Sequence, residues 1–230
     1  MTTIAANLQS VHQRIADACA AAQRHVNEVT LLVVSKTFGP EAIREAHAAG
    51  ETAFGENYIQ EAVEKQALLA DLPLQWHCIG PIQSNKTRLV AQHFAWAHTV
   101  DRLKIAQRLS EQRPAELPPL SVCIQVNIDG GTSKAGVPPG EALALAREVH
   151  ALPRLKLRGL MTIPEPAEDF AAQLAVHRQA RALYDELRAA GLPLDTLSMG
   201  MTGDLEAAVH AGSTMVRVGT AIFGARPAKA

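Results

Sequence analysis

Lys36 closes the run Thr30-Leu31-Leu32-Val33-Val34-Ser35-Lys36, and Gly39 and Pro40 follow within four residues. A β-branched apolar run reads as a buried strand, so this ammonium stands at a strand end. Two roles are open to it there. A partly desolvated lysine gives up its proton more readily, and its free amine attacks aldehydes. A snorkelling lysine packs its stem and keeps its charge in water. A second cluster lies far along the chain. Ser198-Met199-Gly200-Met201-Thr202-Gly203-Asp204 leads from a strand pattern through small residues into a helical one, and Gly219-Thr220 follows another apolar run. Glycine lets backbone N–H groups approach an anion closely, and the hydroxyls add donors. The same residues also make ordinary turns, with Thr202 as an N-cap and Asp204 and Glu206 favouring the positive helix end.

Arg217 sits in Val216-Arg217-Val218, a guanidinium alternating with apolar neighbours. An unpaired buried charge is costly, so it needs a partner. Glu56 or Asp204 could supply one, and so could a ring nitrogen of a bound cofactor. An amine, a phosphate-ready rim and a cation between them fit pyridoxal 5′-phosphate (PLP). Lys36 would hold the PLP aldehyde as a Schiff base, the later loops its phosphate, and Arg217 would face the pyridine nitrogen. Arginine keeps its proton, so that nitrogen would stay unprotonated, which weakens the cofactor as an electron sink. The residues therefore lean toward binding PLP, or mild chemistry on it, rather than carbanion chemistry.

These side chains need a scaffold that brings distant segments together. Short apolar runs at 29–35, 53–56, 75–79, 96–100, 120–128, 156–162, 196–199 and 215–223 alternate with amphipathic helical stretches such as 40–49, 59–70, 103–113, 140–152, 170–190 and 204–211. Eight such strands alternating with helices predict an α/β fold, a single (β/α)8 TIM barrel whose C-terminal strand ends form one mouth. Lys36, Asn57, His77, Ser198, Arg217, Gly219 and Thr220 would share that rim. An extra N-terminal helix over residues 4–24, with Leu8, Val11, Ile15 and Ala18 at helical spacing, would cover the side where a final helix would otherwise lie. No linker, repeat or low-complexity tract interrupts the pattern, so residues 1–230 read as one domain.

Composition narrows the partners. The net charge of −1 argues against nucleic acid or an anionic membrane. No segment approaches the roughly 18 apolar residues of a membrane span, and the N-terminus lacks a signal-peptide profile. Cys19, Cys78 and Cys123 are odd in number and widely spaced, which reads as reduced packing thiols in a cytoplasmic protein. The 47% apolar content suffices for a sizeable core.

Five ordered motifs then carry a family resemblance. They are Val34-Ser35-Lys36-Thr37; Phe54-Gly55-Glu56-Asn57-Tyr58-Ile59-Gln60-Glu61; Trp76-His77-Cys78-Ile79-Gly80-Pro81-Ile82-Gln83-Ser84-Asn85-Lys86; Leu157-Arg158-Gly159-Leu160-Met161; and the stretch from Leu197-Ser198-Met199-Gly200-Met201 to Thr220-Ala221-Ile222-Phe223-Gly224. With them the chain resembles the pyridoxal phosphate homeostasis proteins (YggS/PROSC-like), related in fold to the alanine racemase barrel domain. The resemblance implies that Lys36 carries PLP, that Arg217 faces the pyridine nitrogen, that Ser198, Gly219 and Thr220 hold the phosphate, and that Asn57 and His77 lie around the ring. A structural role for His77, capping a backbone group, stays equally open. It also implies a secondary PLP lysine, Lys134 in Gly130-Gly131-Thr132-Ser133-Lys134, although Gly-Gly-Thr stands where an acidic residue is usual. The function implied is intracellular PLP buffering or delivery, influencing amino- and keto-acid balance, with little or no turnover. PLP-dependent apo-enzymes would be its recipients and the assembly a monomer or weak homodimer. The alternatives are a PLP-dependent amino-acid racemase and a Schiff-base aldolase acting on a phosphorylated sugar. Against the racemase, the chain ends at Ala230 with no second domain to supply an opposing base, and Tyr58 and Tyr184 do not plainly provide one.

Overall fold

The computed structural model describes residues 3–131 and 135–225. Eight strands form a closed parallel barrel in sequence order: β1 (Thr30–Val34), β2 (Ala53–Glu56), β3 (Gln75–Cys78), β4 (Trp96–Val100), β5 (Leu120–Val126), β6 (Leu155–Thr162), β7 (Thr196–Ser198) and β8 (Met215–Val218). This is the (β/α)8 TIM barrel expected from the alternating pattern. Helices α1 (Ile4–Ala21), α2 (Pro40–Ala48), α3 (Ile59–Leu68), α4 (Thr87–His93), α5 (Leu103–Gln112), α6 (Pro139–His150), α7 (Phe170–Ala189) and α8 (Leu205–His210) wrap it, and a single turn, α9 (Thr220–Phe223), follows β8. Helices cover the outside of the sheet and side chains fill its inside, so the strands are apolar on both faces; all seven residues of β5 are buried.

Residues with neighbouring registers meet inside the barrel. Leu32 pairs with Arg217, Gly55 with His77, and Met161 with Ser198. Helix α1 buries Leu8, Val11, Ile15 and Ala18 against α2, α8 and α9, which is the gap it was expected to fill. Polar bonds pin it as well. Asn7 Nδ2 donates to Ile222 O at 2.8 Å, and Arg14 Nη2 donates to Thr202 O at 2.9 Å.

The structure departs from the sequence pattern at the last strand. The apolar run 215–223 is read there as one strand, yet β8 stops at Val218. Gly219 leaves the strand conformation (φ −124°, ψ −63°), and residues 220–223 turn into α9. Ile222 is fully buried within that turn, so burial rather than extension explains the run. The N-terminal helix likewise ends at Ala21, and Gln23 takes φ 54° to start the descent toward β1. Cys19, Cys78 and Cys123 are buried free thiols, and burial pushes Cys78 and Cys123 up to about 12. No helix among the described residues is long and apolar enough to cross a membrane.

One register depends on a missing side chain. A Cβ on Gly159 would fall onto the Thr196 carbonyl across the β6–β7 pair, and the backbone of a closed barrel has little room to yield. Gly159→Ala is expected to destabilise the protein by about 3 kcal/mol or more, the scale of overpacked cores, measured as a lowered urea midpoint.

Candidate functional site

Lys36 follows β1 directly at the barrel mouth, and the residues on both sides of it are anchored. Ser35 Oγ donates to Glu56 Oε1 at 2.7 Å, and Lys65 Nζ, from α3, donates to Ser35 O at 3.0 Å and to the same Glu56 oxygen at 2.9 Å. On the other side the Thr37 N–H donates to Glu61 Oε1 at 3.0 Å, and that carboxylate also meets Lys65 Nζ at 2.6 Å. Thr37 needs this grip, because its φ of 69° lies in the left-handed region that a β-branched residue avoids. Glu56 is 1% exposed. Burial raises its carboxyl above the ordinary value, while Lys65 and Ser35 pull it back.

A cavity of about 220 Å³ opens beside Lys36, walled by Asn57 after β2, by Thr202 and Gly203 after β7, and by Arg217, Gly219 and Thr220 at the end of β8. Two details mark it as built for a polar guest. Asn57 Oδ1 is buried with no hydrogen-bond partner among the described residues, a cost that a bound donor would remove. At Gly219 a Cβ would come within 2.8 Å of Val34 O, so only glycine allows this close approach of β8 to β1. Thr202, open in the sequence as an N-cap, does not cap α8. Asp204 holds that position and accepts from the Met201 N–H at 2.6 Å, leaving Thr202 and Gly203 on the cavity wall.

Arg217 is 4% exposed and bonded to neutral oxygens. Its Nη1 donates to Ser198 Oγ at 2.8 Å and its Nη2 to Thr162 O at 2.9 Å. Neither carboxylate weighed from the sequence is its partner. Glu56 is taken by Lys65, and Asp204 accepts from His177 Nε2 at 2.9 Å. Burial lowers the Arg217 guanidinium to about 10, which still leaves it charged at neutral pH.

Two expected rim residues lie elsewhere. Ser198 and His77 are absent from the cavity wall. Ser198 Oγ turns inward between Arg217 and His98, because Ser198 lies at the level of Met161 and Met215, one layer below the mouth. His77 lies at the level of Gly55 and Trp96, stacked on the Trp96 ring at 5.1 Å between centroids. Lys134 lies outside the described residues. Sequence reasoning missed Lys65, whose only signal is its place four residues after Glu61, and His98, a polar residue alternating with Trp96 and Val100 in β4.

The site can therefore present an amine, backbone and hydroxyl donors across from it, and a charged guanidinium between them. Its amine edge depends on Lys65. Lys65→Met is expected to cost about 3 kcal/mol by leaving Glu56 buried without its counter-charge. Adding Glu56→Gln should recover part of that loss in urea unfolding.

The match to known proteins spans almost the whole chain. Residues 8–227 match the family described as "Alanine racemase, N-terminal domain". A Pseudomonas aeruginosa protein named "Pyridoxal phosphate homeostasis protein" is 62% identical over 226 residues, covering 98% of this chain and 97% of its own. The Escherichia coli K12 protein of the same name is 53% identical, with 98% of each chain covered. The structure of PipY from Synechococcus elongatus with PLP bound is 41% identical, with a TM-score of 0.80, covering 91% of this chain and all of its own. An alanine racemase from Clostridium difficile, 17% identical with a TM-score of 0.77, shares the fold. On its sequence and its barrel, this chain belongs to the pyridoxal phosphate homeostasis family, within the alanine racemase N-terminal domain group.

Proposed function

We propose that this protein carries PLP as a Schiff base on Lys36 and serves PLP homeostasis in the cytoplasm, buffering the cofactor or passing it to apo-enzymes, with little or no turnover. The observation that carries this reading is the placement of Lys36, Arg217 and the two small-residue loops around one cavity. The PLP-bound PipY structure and the names of the Pseudomonas and Escherichia relatives support it. Bound PLP supplies an aldehyde to condense with an amine. The chain's residues do the rest. Thr202, Gly203, Gly219 and Thr220 would hold the phosphate with hydroxyl and N–H donors, Asn57 would bond at the ring, and Arg217 would donate toward the pyridine nitrogen and keep it unprotonated. Lys134 is proposed as a second lysine able to receive the cofactor.

The tyrosines support low turnover. Racemization needs acids and bases on both faces of the bound substrate. Tyr58 is 51% exposed and does not line the cavity, and Tyr184 is buried in α7 under Arg181 and Arg188.

The purified protein is expected to show a visible absorption band once given PLP, and Lys36→Ala is expected to lose it. A wild-type protein that stays colourless with excess PLP would sink the proposal. Incubating the loaded protein with L-alanine and other L-amino acids should give no D-isomer above the rate with free PLP. Sustained racemization, abolished in Lys36→Ala, would make it an enzyme instead.

A further inference from the structure

Below the cavity, Arg217 begins a line of side chains that crosses the barrel interior. Its Nη1 lies 2.8 Å from Ser198 Oγ. Ser198 Oγ lies 2.9 Å from His98 Nδ1, and His98 Nε2 lies 2.9 Å from His77 Nδ1. His77 Nε2 ends the line 3.0 Å from Gln75 Oε1, at the opposite end of the barrel. Ser198, His98, His77 and Arg217 are all at most 4% exposed.

With both rings neutral, the protons of this line can be placed in turn. The Gln75 carbonyl oxygen only accepts, so His77 Nε2 carries a proton. A neutral imidazole has one N–H, so His77 Nδ1 accepts from His98 Nε2. His98 Nδ1 then accepts from the Ser198 hydroxyl, which leaves the Ser198 lone pairs for Arg217. With both rings neutral, every bond in the line has one donor and one acceptor. Their surroundings agree. The charges near them are cations: Arg158, stacked over Trp96 at 4.4 Å, faces His77, and Arg217 faces His98. Of the other titratable groups that act on Arg217, Asp204 is a carboxylate bonded to His177 and attracts the guanidinium from a distance, and Cys123 is a buried thiol that stays protonated.

We infer that Ser198, His98 and His77 form a positioning chain that fixes the Arg217 guanidinium at the cavity floor through neutral acceptors. A carboxylate in place of Ser198 would take up the guanidinium's donors and offset its charge. A hydroxyl held by His98, itself held by His77, fixes the guanidinium's direction without placing a carboxylate in hydrogen-bond contact with it. The chain's purpose rests on the PLP reading, because the group Arg217 faces would be the pyridine nitrogen. None of the three residues touches the ligand; each acts through Arg217.

Two measurements test this, one independent of the cofactor. In ¹⁵N spectra of the unloaded protein, His77 and His98 are expected as neutral rings protonated on Nε2, unchanged from about pH 5 to about pH 9. A ring that titrates in that range, or carries its proton on Nδ1, overturns the chain. In PLP titrations, Ser198→Ala and His98→Phe are each expected to weaken retention about tenfold, the effect of one lost bond to a charged group. Their visible band is expected to gain a pH-dependent step that the wild type lacks. The double variant should be no weaker than the worse single, as for residues acting in series. Wild-type retention and a pH-independent band in either folded variant overturn the positioning role. If a variant fails to fold, the wild-type ring tautomers still decide the chain. If the wild type takes up no PLP, the cofactor reading fails while those tautomers decide the chain alone.

Discussion

The buried Glu56 carboxylate is the constraint on which the mouth of this barrel depends. It joins the end of β1 to α3 by accepting from Ser35 and from Lys65 at once, and through Lys65 and Glu61 the tie reaches Thr37. Lys36 is thus suspended between two fixed residues, one of them in a backbone conformation it would not adopt alone. Buried ion pairs add little net stability compared with apolar packing. Their value here is placement: the bonds have one geometry, and they fix the backbone on both sides of the Lys36 amine.

The opposite edge of the cavity is held by different means. Closure of β1 on β8 brings Gly219 against Val34, a contact that admits no side chain. Helix α1 then secures both small-residue loops from outside, through Arg14 to the Thr202 carbonyl and Asn7 to the Ile222 carbonyl. An element from the start of the chain therefore braces a site built largely from its end. Between the two edges Arg217 is hydrogen-bonded to neutral oxygens rather than to a carboxylate.

Much of this was legible before any fold was known. The alternation of apolar runs and amphipathic helices specifies the barrel, because strands covered on both faces must be continuously apolar and their crossovers must be helical. Lys36, Asn57, Arg217, Gly219 and Thr220 stood out by type at strand ends, and the structure gathers them on one cavity. Ser198 and His77 stood out by the same rule but lie a layer deeper. A strand-end pattern gives the end of a strand only to within a residue or two, and one residue of shift along a strand turns a side chain from one face to the other.

Sequence by itself determined the elements, their order and which residue types could meet at the mouth, since these follow from local periodicity and strand-end position. The partners were decided by tertiary structure alone. Lys65 with Glu56, Arg217 with Ser198, and His98 with His77 lie 9, 19 and 21 residues apart. Which of several plausible carboxylates or hydroxyls meets a given cation is fixed by barrel register and helix placement, which no local pattern contains. That is why Arg217 could be recognised as a cation in need of a partner, while the partner itself, a serine bonded to the buried His98, became visible only once the barrel had closed around it.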